Sequence, residues 1–213
     1  MDLADDLHAA VLVDLTANDR SAFVDVIALA FALDPWFVTL FGAGRDGRRK
    51  IRDFLLFLFD LSLWTGADLR GLRLADRLVG AYILERPDAR QSGWPRVVWR
   101  ALSGRIGLSW RNVPQLLPYM RHTRMALPRG RCNYLTLIGV AEAQRGHGLG
   151  RRMLDDILAR VDQDATSVGV GLDTENPANV RLYERFGFRV TAQAAVSGVD
   201  VTCLFRPRGA DGR

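Results

Sequence analysis

The sequence predicts an α/β protein with strands and helices interleaved along the chain, and three observations predict it. Residues 134–140 are apolar on both faces apart from Thr136, as in a central strand covered on both sides. A glycine-rich segment, Gln144-Arg145-Gly146-His147-Gly148-Leu149-Gly150, follows and leads into an amphipathic helix. That helix carries Leu149, Met153, Leu154, Ile157, Leu158 and Val161 on one face, with Asp155, Asp156 and Arg160 on the other. A second strand, 168–172, precedes a short helix over 179–186 that Gly187 stops.

With 213 residues, 48% apolar and 25% charged, residues 1–213 suit one domain with a proper core. Cys132 and Cys203 are far apart and lack metal-type spacing, so neither a disulfide framework nor a metal site is expected, and a reducing cytoplasm fits best. The start, Met1 to Asp6, is acidic and lacks the basic and apolar runs of a secretory signal. The most apolar stretch, 51–64, is too short to span a bilayer and carries Asp53 and Asp60; a core helix is expected, with no membrane partner. The net charge of +5 favours anionic partners, but nearly all of it is arginine, Lys50 being the sole lysine, a bias that coding composition can produce.

From the start, 11–15 reads as a strand. Thr16, Asn18, Asp19 and Ser21 offer capping chemistry for a helix through Phe23, Val24, Ile27, Ala28 and Phe31, which Asp34-Pro35 ends. Gly42, Gly44 and Gly47 mark a loop before a helix over 48–64. Strands 69–75 and 78–84 alternate through Leu72, Leu74, Val79, Ala81 and Ile83 about a turn at Asp76-Arg77. The stretch 86–131 holds ten arginines and one acid, Asp88, with Trp94, Trp99 and Trp110 interleaved. Pro114, Pro118 and Pro128 break it into an insertion of short helices and loops. Two closing strands, 188–196 and 199–205, turn at Ser197-Gly198.

The glycine segment carries chemistry because of where it sits. The first N–H groups of a helix have no intrahelical partner and lie at its positive end, a ready anion site. Glycines let the backbone approach a diphosphate, and Arg145 can add a charge-assisted contact. A dinucleotide loop of the Rossmann kind belongs after the first strand, with an acid about 20 residues on, and here the loop falls late. A P-loop fails because no Gly-Lys-Ser/Thr is present after it. In the second motif, Asn176 is a natural N-cap with Pro177 at the first helical position, and Asn179 and Tyr183 share a helix face. Taken singly, the loop could be a plain turn, Asn179 an exposed first-turn residue and Tyr183 a core aromatic.

Together the two motifs resemble the GCN5-related N-acetyltransferase (GNAT) family. Its Gln/Arg-x-x-Gly-x-Gly/Ala signature is matched by Arg145, Gly148 and Gly150; its Asn-x-x-Asn-x-x-x-Tyr…Gly-Phe pattern by Asn176, Asn179, Tyr183, Gly187 and Phe188. Ala30-Phe31-x-x-Asp34-Pro35 looks like the first-helix region of the puromycin N-acetyltransferase-like subgroup. The match is best over 134–190 and poor over 86–131. The resemblance implies a mixed, mostly antiparallel sheet flanked by helices and splayed at the cofactor site after Val140. It implies acetyl-CoA as cosubstrate, its pantetheine along Ile138, Gly139 and Val140, its pyrophosphate on the amides of Arg145, Gly146, His147, Gly148, Leu149, Gly150 and Arg151, Asn179 on the pantetheine side and Tyr183 at the thioester sulfur.

The implied reaction moves an acetyl group to a primary amine of a small molecule or peptide by direct attack, with Tyr183 as general acid. The general base stays open: Glu142 is the first choice, beside Glu85, Asp173, Glu175 or a water chain, and His122 is a further candidate in the insertion. Alternatives are another acyl group, CoA binding without turnover, or, in a different class, nucleic-acid binding through the arginine-rich stretch, which the two motifs disfavour. That stretch is read instead as a lid over the acceptor pocket. The acceptor and the choice between monomer and homodimer are not set by the sequence.

Overall fold

A computed structural model describes residues 10–87 and 112–210. β1 (Val11–Asp14) is followed by a 3-10 turn (Ala17–Asp19), where the Asp19 carboxylate accepts from the Thr16 amide at 2.8 Å. That cap starts α1 (Arg20–Ala30), which buries Phe23, Val24 and Ile27 at helical spacing. The expected stop at Asp34-Pro35 is also a start. Asp34 accepts from the amides of Trp36 (3.0 Å) and Phe37 (3.1 Å), and Pro35 opens the short helix α2 (Pro35–Phe41) at a position where its missing N–H costs nothing. The next helix, α3 (Gly44–Thr65), begins four residues before the expected start and buries Ile51, Leu55, Phe59 and Ser62. The most apolar stretch of the sequence is thus a core helix. No single helix among the described residues is long and apolar enough to cross a membrane.

β2 (Asp68–Leu74) and β3 (Arg77–Glu85) form the expected hairpin. Of the basic insertion, the tryptophans at 94, 99 and 110 lie outside the described residues; the described part contains α4 (Val113–Met125). Then come β4 (Asn133–Val140), a 3-10 turn (Glu142–Gln144), α5 (Leu149–Gln163), β5 (Gly169–Thr174), α6 (Pro177–Glu184), β6 (Arg189–Val196) and β7 (Val199–Pro207).

The seven strands form one sheet in the order β1-β2-β3-β4-β5-β7-β6. Every pairing is antiparallel except β4 with β5. One face carries α1, α2, α3 and α4, whose Phe23, Ile27, Leu55, Phe59 and Tyr119 pack with Leu69, Ala81, Ile83, Leu137 and Cys203 of the strands. The other carries α5 and α6, whose Leu149, Met153, Ile157 and Tyr183 pack with Leu72, Tyr82, Leu84, Val170 and Leu172. This is the mixed sheet between helices that the sequence predicts.

The parallel pair fixes the site. β4 and β5 are in register only at Asn133↔Val170 and Tyr134↔Gly171. Beyond Tyr134 they diverge, while β4 stays paired to β3 through Val140. The sheet therefore opens at residue 135, earlier than the expected opening after Val140, and the wedge runs most of the length of β4.

Candidate active site

Two groups of residues border the wedge. The first is built from backbone. The Ala141 amide donates to the Val79 carbonyl at 2.8 Å, so by strand alternation Gly139 also directs its polar groups to β3. Ile138 and Val140 then direct theirs into the opening, where β5 no longer answers them. Gly139 serves a different end: a Cβ there would lie 2.9 Å from Ile27 Cδ1 and 3.2 Å from Phe31, so its absence lets α1 press on the strand.

The glycine segment joins this edge to α5. Its Arg145 amide is engaged by the Glu142 carbonyl at 3.1 Å, so that amide is no open donor, contrary to the expected run of donors from 145. The Arg145 guanidinium donates to the Ala30 carbonyl at 3.1 Å and ties the segment to the end of α1. Gly146 and Gly148 have φ of +83° and +79°, and no atom comes within 4 Å of where a Cβ would be. The first backbone bond of α5 runs from the Arg152 amide to the Gly148 carbonyl at 3.1 Å. The amides of Leu149, Gly150 and Arg151 therefore precede the helical ladder. The Leu149 side chain is buried in the core, and only its backbone is in position to meet a ligand. His147 and Arg151 are exposed beside it.

The second group is built from side chains. Tyr119 of α4 places its hydroxyl within hydrogen-bonding reach of both Asp173 Oδ2, at the end of β5, and Glu175 Oε1 just beyond it. The Tyr134 hydroxyl donates to Asp173 Oδ1. Trp36 stacks on Tyr119 with centroids 3.8 Å apart, and the Arg124 guanidinium lies 4.0 Å above the Tyr134 ring. Arg124 also pairs with Glu85 at 2.7 Å, and Thr136 donates to Glu85 at 2.6 Å.

Burial dominates the electrostatics here. It raises Asp173, and it pushes Glu175 up to about 8, with the neighbouring Asp173 charge adding to the effect. Asp34 is raised by burial against the pull of the two amides it caps. The phenols of Tyr119 and Tyr134 are raised far above their ordinary value, by burial first and by the carboxylates second.

Tyr183 of α6 is buried, its ring 5.7 Å from that of Phe188, and its hydroxyl bonds to no described residue. Burial raises it, and the charges of Asp173 and Glu175 add to the rise. Asn176 caps α6 through the Ala178 amide at 2.9 Å, and Asn179 donates to Thr174 at 3.3 Å. Glu142 is not brought into this group. It is exposed at the head of the 3-10 turn. His122 lies on α4 with Nε2 buried and without a hydrogen-bond partner among the described residues. Asp34, Trp36, Tyr119 and Tyr134 were not singled out by sequence reasoning. A stacked pair 83 positions apart leaves no local pattern, though an Asp-Pro N-cap was there to be read at Asp34.

Comparison with known proteins bears on this arrangement. Residues 125–201, which hold the glycine segment, Asp173, Glu175 and Tyr183, match the family model described as an acetyltransferase (GNAT) domain. Over 61 residues the chain is 38% identical to the L-methionine sulfoximine/L-methionine sulfone acetyltransferase of Salmonella typhimurium; the match covers 28% of this chain and 36% of that protein. The fold is similar to that of a crystal structure described as histone acetyltransferase HPA2 and related acetyltransferase from Corynebacterium glutamicum (TM-score 0.69, 20% identity, 96% of this chain and 99% of that one). It is also similar to the ribosomal-protein-S18-alanine N-acetyltransferase of Escherichia coli (TM-score 0.58, 13% identity, 96% and 97%). Residues 125–201 are thus similar to GNAT acetyltransferase domains, and the sheet with its flanking helices is the GNAT fold.

Proposed function

We propose that this protein is a GNAT N-acetyltransferase that moves the acetyl group of acetyl-CoA to a primary amine of a small molecule or peptide, both bound side by side. The observation that carries the reading is the run of free amides at Leu149, Gly150 and Arg151, opening beside the unpaired edge of β4. The room over Gly146 and Gly148 fits a diphosphate, with His147, Arg151 and the Arg145 side chain at its margin. Ile138 and Val140 offer backbone donors and acceptors for an extended amide-bearing arm, with Gly139 between them and Asn179 across the wedge.

Acetyl-CoA supplies the acetyl group as an activated thioester. Tyr183 stays protonated at neutral pH and is the general acid that gives its proton to the departing sulfur. A backbone N–H at Val140 is placed to stabilise charge developing on the acyl oxygen. The acceptor arrives as an ammonium. The Asp173–Glu175 pair takes one of its protons, and the freed lone pair forms the C–N bond as the C–S bond breaks. The nitrogen's second proton restores Tyr183 through solvent, and the pair returns its own to solvent. Glu142, exposed and apart from the cluster, is the weaker choice of base.

A carboxyl pair whose side-chain hydrogen-bond partners among the described residues are phenols suits a cationic amine. The Asp34-Pro35 cap supports a place beside the puromycin N-acetyltransferase-like proteins, while the methionine sulfoximine acetyltransferase similarity suggests amino-acid-like acceptors. Tyr119 and Arg124 sit in the described part of the basic insertion, which supports reading it as a cover over the acceptor within one domain. The free Cys132 and Cys203 support a reducing compartment. The test is thiol release from acetyl-CoA with a panel of amino acids, antibiotics, peptides and polyamines. Turnover with one class is expected. CoA binding without turnover would leave the non-catalytic reading. Failure to bind CoA, with salt-sensitive binding of DNA or RNA instead, would favour the nucleic-acid reading.

A further inference from the structure

The acid–phenol cluster contains more hydrogen-bond contacts than its phenols have protons. Tyr134 has one hydroxyl proton, which it gives to Asp173 Oδ1, and the Thr123 side chain also lies against its hydroxyl. Tyr119 has one hydroxyl proton and two partners, Asp173 Oδ2 and Glu175 Oε1. A hydroxyl donates once, so one of those two contacts must run the other way, with a carboxyl O–H donating to the phenol oxygen. Asp173 already receives the Tyr134 proton. Two arrangements satisfy every contact: one carboxyl proton sits either on Asp173 Oδ2 or on Glu175 Oε1. With Glu175 protonated, the ionised carboxylate is Asp173, which then has two phenol donors and the Arg124 cation near it; with Asp173 protonated, an ionised Glu175 has one phenol donor, so the first arrangement is preferred.

A base that is protonated at rest cannot simply accept a second proton. We propose that Tyr119 is a proton relay between Glu175 and Asp173: Glu175 accepts a proton from the acceptor ammonium on Oε2 while its Oε1 proton passes to Tyr119, whose own hydroxyl proton passes to Asp173. One N–H bond breaks and one O–H bond forms at Glu175, one breaks and one forms at each link, and Asp173 ends neutral. The charge lost from the ammonium is matched by the charge lost from Asp173. No oxygen in the chain carries two protons at any stage. This inference rests on the acetyl-transfer reading and names the residues that would serve its proton transfer.

The surroundings suit the role. Trp36, itself 7% exposed, stacks on the Tyr119 ring and fixes its hydroxyl, and burial raises both carboxyls, so the pair holds a proton between them. The charged groups about the relay are Asp34 from the start of α2, Glu85 from β3 and Arg124 from α4. Tyr134 of β4 bonds to Asp173 directly, and Tyr183 of α6 and Cys203 of β7 both feel the charges of the pair. Among the described residues Arg124 is the cation of this group, and it favours an ionised Asp173.

Tyr119→Phe keeps the ring and its stack on Trp36 and removes only the relay atom. In this variant Glu175 must lose its own proton to bulk solvent before it can act. The pH profile of kcat/KM, measured with whichever amine the wild type turns over, should then lose about 10-fold at pH 7 and converge on the wild type at pH 9 to 9.5. The rate against the D2O fraction should be bowed in the wild type, as several protons move together, and linear in the variant. Asp173→Asn, which removes the terminal acceptor, should also make the isotope plot linear and serves if the phenylalanine variant misfolds; its pH profile should turn at lower pH than that of Tyr119→Phe, because the Asp173 charge that helps raise Glu175 is gone. Superimposable pH profiles and isotope plots for wild type and variants would overturn the relay while leaving acetyl transfer intact. A wild type inert toward every amine would instead overturn the acetyl-transfer reading itself.

Discussion

The glycine segment and the acid–phenol cluster lie on either side of one wedge, yet they are built in opposite ways. The segment is one unbroken run, 144–151, whose working groups are backbone amides, set free because a helix starts at Leu149. The cluster draws Asp34, Trp36, Tyr119, Tyr134, Asp173 and Glu175 from separate helices, strands and loops, and its working groups are side chains. Local sequence rules describe the first almost completely. The second exists only because β4 and β5 part after Tyr134 and α4 is laid across the resulting edge. A backbone site tolerates many side chains and should fail through conformation. A side-chain site should fail through loss of single atoms.

The sharpest form of that contrast is at Tyr183, which belongs to the side-chain half although it stands on the opposite face of the sheet. Its hydroxyl bonds to no described residue, so Tyr183→Phe leaves no buried partner unsatisfied and should barely change stability. As general acid, however, it should carry about 100-fold or more in kcat. Steady-state kinetics with a CoA titration would show kcat falling and CoA affinity within about two-fold. An unchanged kcat would move the acid role away from this phenol.

For the backbone half, Gly148→Val is the corresponding change. At φ +79° a β-branched residue is strained by about 1–2 kcal/mol, and its side chain would fill the room above the first amides of α5. CoA should bind about 10-fold more weakly by calorimetry, and pre-steady-state chemistry at saturating acetyl-CoA should be nearly preserved. If the loss were in chemistry rather than in affinity, the separation of the two halves would break down.

Much of the fold was legible because it arises from local periodicity. The strand at Asn133–Val140, the helix at Leu149–Gln163 and the hairpin of β6 and β7 appear within a few residues of where apolar spacing and turn residues put them. The short helix Pro35–Phe41 was not read, because Asp34-Pro35 carries two signals at once: the proline closes one helix and opens another. Glu142 was singled out as a base for its place near an expected strand end, and it lies on an exposed turn. Asp173 and Glu175 were named beside it, but nothing in their neighbourhood announced Tyr119, 54 and 56 positions away. Residue pairs of that kind are set by strand order, which periodicity does not encode.

The smallest expected effect separates the halves by pH. Glu175 holds its proton in the folded protein up to about 8, against 4.5 for a free glutamate. Between those values the folded chain binds more protons than the unfolded one, so stability must fall as pH rises through that window. Below 4.5 both states are protonated, and above about 8 both have released the proton, so there this group adds no slope. Glu175→Gln keeps the shape and removes the titration. Its melting temperature should gain on that of the wild type as pH rises from 5 to 8, by about 2–4 °C for each kcal/mol of linkage. Gly148→Val should show a constant offset from the wild type across the same range, because no proton is bound or released at a strained amide. Parallel curves for Glu175→Gln and wild type would mean that the carboxyl is already ionised at neutral pH, and the proton held between Glu175 and Tyr119 would have to be given up.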